Sequence, residues 1–121
     1  MNIVKKLIHF NEGLLLESGS KLDSFDLMIE TYGELNKDKS NAILVCHAFS
    51  GDHHAAGVDS ETGQVGWWDQ IIGPNKAIDT NKYFVVCSNN LGGCSGSSGP
   101  TSVNNDTGKV YGKDFPAVSI A

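Results

Sequence analysis

With 121 residues, 40% of them hydrophobic and 19% charged, the chain is sized for one small domain or for part of a larger one, and its composition excludes wholesale disorder. A formal charge of −5 leaves no basic footprint for nucleic-acid phosphates and no polybasic membrane anchor. An acidic chain can still bind an anionic substrate through a local nest of backbone N–H groups.

The opening residues, MNIVKKLIHF, lack the signal-peptide order of basic region, long apolar stretch and small-residue cleavage site. The longest apolar runs are too short to span a bilayer. Cys46, Cys87 and Cys94 are odd in number, and two of them lie in apolar strand-like runs. That usage predicts reduced, mostly buried thiols rather than a disulfide framework. The expected location is cytoplasmic, which makes Asn105-Asp106-Thr107 a chance glycosylation match.

The first third reads as antiparallel β structure. Residues 13–17 and 24–32 are candidate strands joined through Ser18-Gly19-Ser20-Lys21. The second alternates, with Phe25, Leu27 and Ile29 on one face and Asp26, Met28 and Glu30 on the other, as in a half-solvated strand. A polar turn at 33–40 leads into Ala42-Ile43-Leu44-Val45-Cys46, a continuous apolar run of the kind covered on both faces in a parallel sheet. Residues 66–73 predict a short helix stopped by Gly73-Pro74. Tyr83-Phe84-Val85-Val86-Cys87 is a second apolar run. The 36 residues between Cys46 and Tyr83 are ample for a parallel crossover. A long Gly- and Ser-rich stretch follows from Ser88, the sort of extended loop that is usually functional.

Several local patterns suggest chemistry. His47-Ala48-Phe49-Ser50-Gly51 follows a buried strand, where ligands collect in α/β sheets. Its backbone N–H groups could face a developing oxyanion, at about 3 kcal/mol per donor in acyl transfer; an ordinary tight turn is the competing interpretation. His47, His53 and His54 with Asp52 invite a metal reading but lack zinc-ligand spacing. Gly92-Gly93-Cys94-Ser95-Gly96 has the outline of a nucleophile elbow with cysteine in the serine position. The residues after it are poor helix material, which favours a shaped loop. The glycine-rich run matches neither nucleotide-binding fingerprint. Trp67 and Trp68 read as packing aromatics.

Longer stretches resemble a known family. Glu30-Thr31-Tyr32-Gly33-Glu34-Leu35-Asn36, Cys46-His47-Ala48-Phe49-Ser50-Gly51-Asp52, Gly66-Trp67-Trp68-Asp69, Ile72-Gly73-Pro74, Asp79-Thr80, the run from Ser88 to Pro100 and the run from Thr107 to Pro116 are similar, in that order, to homoserine O-acetyltransferase. The resemblance covers nearly everything after about residue 12. It implies an α/β fold: the N-terminal part of an α/β-hydrolase domain, with antiparallel first strands leading into a parallel sheet of order 1-2-4-3-5. Residues 1–121 would form an incomplete part of that single domain, ending before the nucleophile elbow.

The resemblance further implies acetyl transfer from acetyl-CoA, a co-substrate rather than a bound cofactor, to the hydroxyl of L-homoserine in methionine synthesis. A serine acyl-enzyme route serves this chemistry. Within the chain it assigns one role: the backbone N–H of Phe49 as an oxyanion-hole donor. The serine, aspartate and histidine are expected outside these residues, leaving residues 1–121 inactive alone. The expected parent is a homodimer with no nucleic-acid or membrane partner. Serine O-acetyltransferase and homoserine O-succinyltransferase are alternatives within the family. A truncated non-catalytic product or binding module, and a cysteine acyl-enzyme at Cys94, are alternatives outside it.

Overall fold

The computed structural model describes residues 1–120. In chain order the strands are β1 (Ile3–Phe10), β2 (Leu14–Leu15), β3 (Lys21–Leu22), β4 (Phe25–Tyr32), β5 (Ala42–Val45), β6 (Ile72–Gly73), β7 (Ile78–Asp79), β8 (Phe84–Ser88), β9 (Val103–Asn104) and β10 (Lys109–Val110). A single 3-10 turn, Gly112–Asp114, is the only helical element among the described residues. The main sheet has the order β1-β4-β8-β5, so its four strands run first, second, fourth and third along the chain. β1 and β8 flank β4 antiparallel, and β5 lies parallel to β8 with Ala42 opposite Phe84 and Val45 opposite Cys87. This is the mixed sheet and strand order that the resemblance implied.

The core gathers on one side of the β4–β8–β5 junction: Tyr32, Val45, Ile72, Val85 and Cys87, with Ala55 and Ala56 from the loop after β5. Burial of this kind contributes about 25 cal/mol per Å² of apolar surface. Tyr32, Val85 and Cys87 are fully buried. Burial pushes the Cys87 thiol up to about 12, so it sits as a neutral small hydrophobe.

Four expectations change. The N-terminal segment 3–10 pairs along the whole of β4, whereas residues 13–17 form only the two-residue β2, paired with β3. Its apolar positions do not alternate, which hid the strand; here it is an edge, mostly exposed, closed by a Phe10–Phe25 ring stack at 5.0 Å. Residues 66–73 form successive turns, not a helix. Asp69 N–H donates to Gly66 and Ile71 N–H to Trp68, and the segment ends in β6 beside β7. A side chain at Gly66 would overlap the Ala55–Ala56 backbone, so packing overrides helical propensity there. β5 is not covered on both faces: Leu44 is 68% exposed, because no described element lies over that face. Nor are the thiols mostly buried: Cys46, just after β5, and Cys94, in the Gly-rich loop, are exposed.

Candidate functional site

At the C-terminal end of β5 the chain turns sharply. Gly51 N–H donates to the Ala48 carbonyl at 2.8 Å, closing a four-residue turn with Phe49 and Ser50 at its centre. Among the described residues the Phe49 N–H has no acceptor, and the Phe49 side chain is fully exposed. His47 braces the turn. Its Nδ1 lies 2.7 Å from the Ala48 carbonyl and its Nε2 accepts the Asn90 N–H at 3.1 Å. One partner is an acceptor and the other a donor, so His47 carries its proton on Nδ1. The imidazole thereby ties the turn after β5 to the loop after β8.

The next residues are held from beneath. Glu30, near the end of β4, is 3% exposed and its Oε2 meets both the Tyr32 hydroxyl at 2.5 Å and His54 Nδ1 at 2.7 Å. His54 Nε2 donates to the Gln64 carbonyl at 3.0 Å. The Tyr32 oxygen accepts the N–H groups of Ala55 and Ala56 at 2.8 and 3.2 Å. Burial would lower His54, but hydrogen bonds to Glu30 and Gln64 outweigh it and hold the imidazole above its ordinary value. Burial raises the Tyr32 phenol, which stays protonated. Tyr32 alternates onto the same face as Glu30. An aromatic on the nominally polar face was the sequence signal for this buried network, and the alternation pattern alone concealed it.

Other bonds fix the same loop from above. Trp67 Nε1 donates to the Asp52 carbonyl at 3.0 Å, Trp68 N–H to the Ala55 carbonyl at 2.7 Å, and His54 N–H to the Asp52 carboxylate at 2.8 Å. The two indoles stack on each other with centroids 5.6 Å apart but are 41% and 42% exposed, so they are loop anchors rather than core packing.

The Gly-rich loop is built by its polar side chains. Asn89 is fully buried; its Oδ1 accepts the N–H groups of Ser95 and Ser97 at 3.3 and 3.4 Å. The Ser97 and Ser98 hydroxyls accept the N–H groups of Met28 and Asp26 at 2.9 and 2.8 Å, in place of a further strand along the start of β4. These serines complete the sheet's hydrogen bonding. Cys94 sits among bends and turns with no helix after it, so it lacks the strand–turn–helix geometry of an elbow.

The three histidines point apart: His47 to Asn90, His54 to Glu30, and His53 into the interior, where burial lowers its basicity and its Nδ1 has no partner among the described residues. Among those residues no three His, Cys, Asp or Glu side chains are grouped to hold a metal ion, and no helix is long and apolar enough to cross a membrane.

No protein-family model matches the chain. Homoserine O-succinyltransferase of Hahella chejuensis is 60% identical over 119 residues, covering 98% of this chain and 31% of that protein. Homoserine O-acetyltransferase of Methanohalobium evestigatum is 59% identical over 119 residues, covering 98% and 24%. The crystal structure of homoserine O-acetyltransferase from Bacillus anthracis superposes with a TM-score of 0.88 at 40% identity, over 98% of this chain and 33% of that one. Esterase E22 superposes with a TM-score of 0.87, also at 40% identity, over 98% and 34%. The chain spans less than a third of the length of these curated relatives. With such identity along almost its whole length, and with the sheet order described above, the chain is similar to part of the homoserine O-acyltransferases and has the architecture of part of an α/β-hydrolase fold.

Proposed function

We propose that residues 1–121 are the N-terminal part of a single α/β-hydrolase domain in an enzyme that moves an acetyl group from acetyl-CoA to the hydroxyl of L-homoserine. The observation that carries this reading is the Phe49 N–H, held without an acceptor in a turn at the C-terminal end of β5. In the serine acyl-enzyme route a serine hydroxyl attacks the thioester carbonyl, its proton passing to a histidine. The carbonyl oxygen becomes an oxyanion, CoA thiolate leaves, and homoserine then repeats the attack on the serine ester. Both tetrahedral intermediates place negative charge where a fixed N–H donor is most effective, at about 3 kcal/mol per donor. The serine, aspartate and histidine lie outside residues 1–121 in this reading, so the segment by itself transfers nothing.

The name of the Hahella relative favours a second donor, succinyl-CoA. The test gives the full-length protein L-homoserine with equimolar acetyl-CoA and succinyl-CoA and reads the products by mass spectrometry. O-Acetylhomoserine as the main product is expected. O-Succinylhomoserine would transfer the assignment to the second donor, and hydrolysis of both thioesters without homoserine esters would overturn it.

A further inference from the structure

The buried network beneath the loop has no part in the chemistry just described, yet it is the most heavily bonded feature near the turn. Four contacts join β4 to residues 53–56: Glu30 to His54, the Tyr32 hydroxyl to the His53 carbonyl, and the N–H groups of Ala55 and Ala56 to the Tyr32 oxygen; a bond from the Tyr32 hydroxyl to Glu30 ties the two β4 side chains together. Both ring nitrogens of His54 face acceptors, the Glu30 carboxylate and the Gln64 carbonyl, so an imidazolium satisfies both at once. The Glu30 Oε2, the His54 imidazole and the Tyr32 hydroxyl are all hydrogen-bonded to one another or to the loop, and bonded buried polar networks specify one arrangement of what they hold. What this one holds is residues 53–56, which begin four residues after Phe49.

We infer that Glu30, Tyr32 and His54 are positioning residues that set the aim of the Phe49 N–H by fixing residues 53–56 to β4. The inference rests on the oxyanion-donor reading of Phe49. Only Ser50, Gly51 and Asp52 separate Phe49 from His53, so a shift at residues 53–56 reaches the turn through three residues of backbone. Other titratable or charged groups around His54 and Glu30 are Lys5 on β1, Cys87 on β8, and Asp52, His53, Asp59 and Asp69 of the connecting segment.

The test uses the full-length protein with Tyr32→Phe, which keeps the ring and deletes the hydroxyl, and with Glu30→Gln, which keeps an acceptor for Tyr32 and serves if the first variant does not fold. Amide hydrogen exchange is followed at residues 49–56 and at the β4–β8 pairs, alongside kcat and KM. The expected result is faster exchange at 53–56 with β4–β8 unchanged, and a kcat reduced about ten- to a hundredfold at near-constant KM, the scale set by small misplacements of reacting groups. Unchanged exchange at 53–56, or altered exchange with unchanged kcat, overturns the inference. An unmodified protein that fails to acylate homoserine overturns the function proposed above instead. The kcat comparison then proceeds on p-nitrophenyl acetate, because an oxyanion donor serves any acyl transfer.

Discussion

His54 and His53 are neighbours with opposite electrostatics. Burial lowers His53, whereas His54 stands above its ordinary value despite burial, because Glu30 and the Gln64 carbonyl favour its charged form. A histidine whose folded value is raised contributes stability that is fully present below its unfolded value near 6.5 and is lost as pH rises through the folded value. His53 acts in the reverse sense and disfavours folding as pH falls. The substitution His54→Gln removes only the first contribution. Its destabilisation, measured by urea unfolding, is therefore expected to be larger at about pH 6 than at about pH 9. A destabilisation that is constant or grows with pH would show that His54 is not held as a cation by Glu30.

Among the elements, the segment from Gly66 to β7 shows how tertiary contact overrides local preference. Gly66 lies so close to the backbone of Ala55 and Ala56 that an added Cβ would overlap it, and Trp67 and Trp68 bond to the same loop. Gly66→Ala is expected to destabilise the fold by about 1–3 kcal/mol, as overpacking does; wild-type stability in denaturant unfolding would refute the close approach. Sequence reading expected a helix here because the Trp-Trp-Asp-Gln-Ile-Ile run has the length and terminator of one. The residue that forbids it, Gly66, exerts its effect only against a loop ten residues earlier. The parallel pairing of β5 with β8 was legible, since both runs are continuously apolar and well separated. The position of the Phe49 turn was legible too, because a short polar loop after such a strand is placed by the strand itself. β1 was not, because its apolar residues lack alternation and it is an edge with little burial. Nor was the role of Ser97 and Ser98, whose hydroxyls act on β4 backbone some 70 residues away in the chain.

At the scale of the molecule, β5 is the edge of the main sheet, with one backbone edge unpaired among the described residues and Leu44 68% exposed. An apolar edge strand is a template for pairing with another chain. Residues 1–121 expressed alone are expected to associate with increasing concentration in sedimentation velocity; a monodisperse monomer with a cooperative melt would contradict this. In the enzyme proposed above, the sheet would present the turn after β5 and the Phe49 N–H would stabilise the oxyanion. Phe49→Pro tests that role most directly. Proline is favoured at the second position of a turn, so the substitution suits the backbone while deleting the donor. Phe49→Leu, which changes the side chain and keeps the N–H, is the control. We predict that Phe49→Pro lowers kcat for homoserine acylation by about 10²- to 10³-fold, the effect of losing one oxyanion donor, while Phe49→Leu stays within about threefold of wild type. A folded Phe49→Pro protein with wild-type kcat would contradict the account.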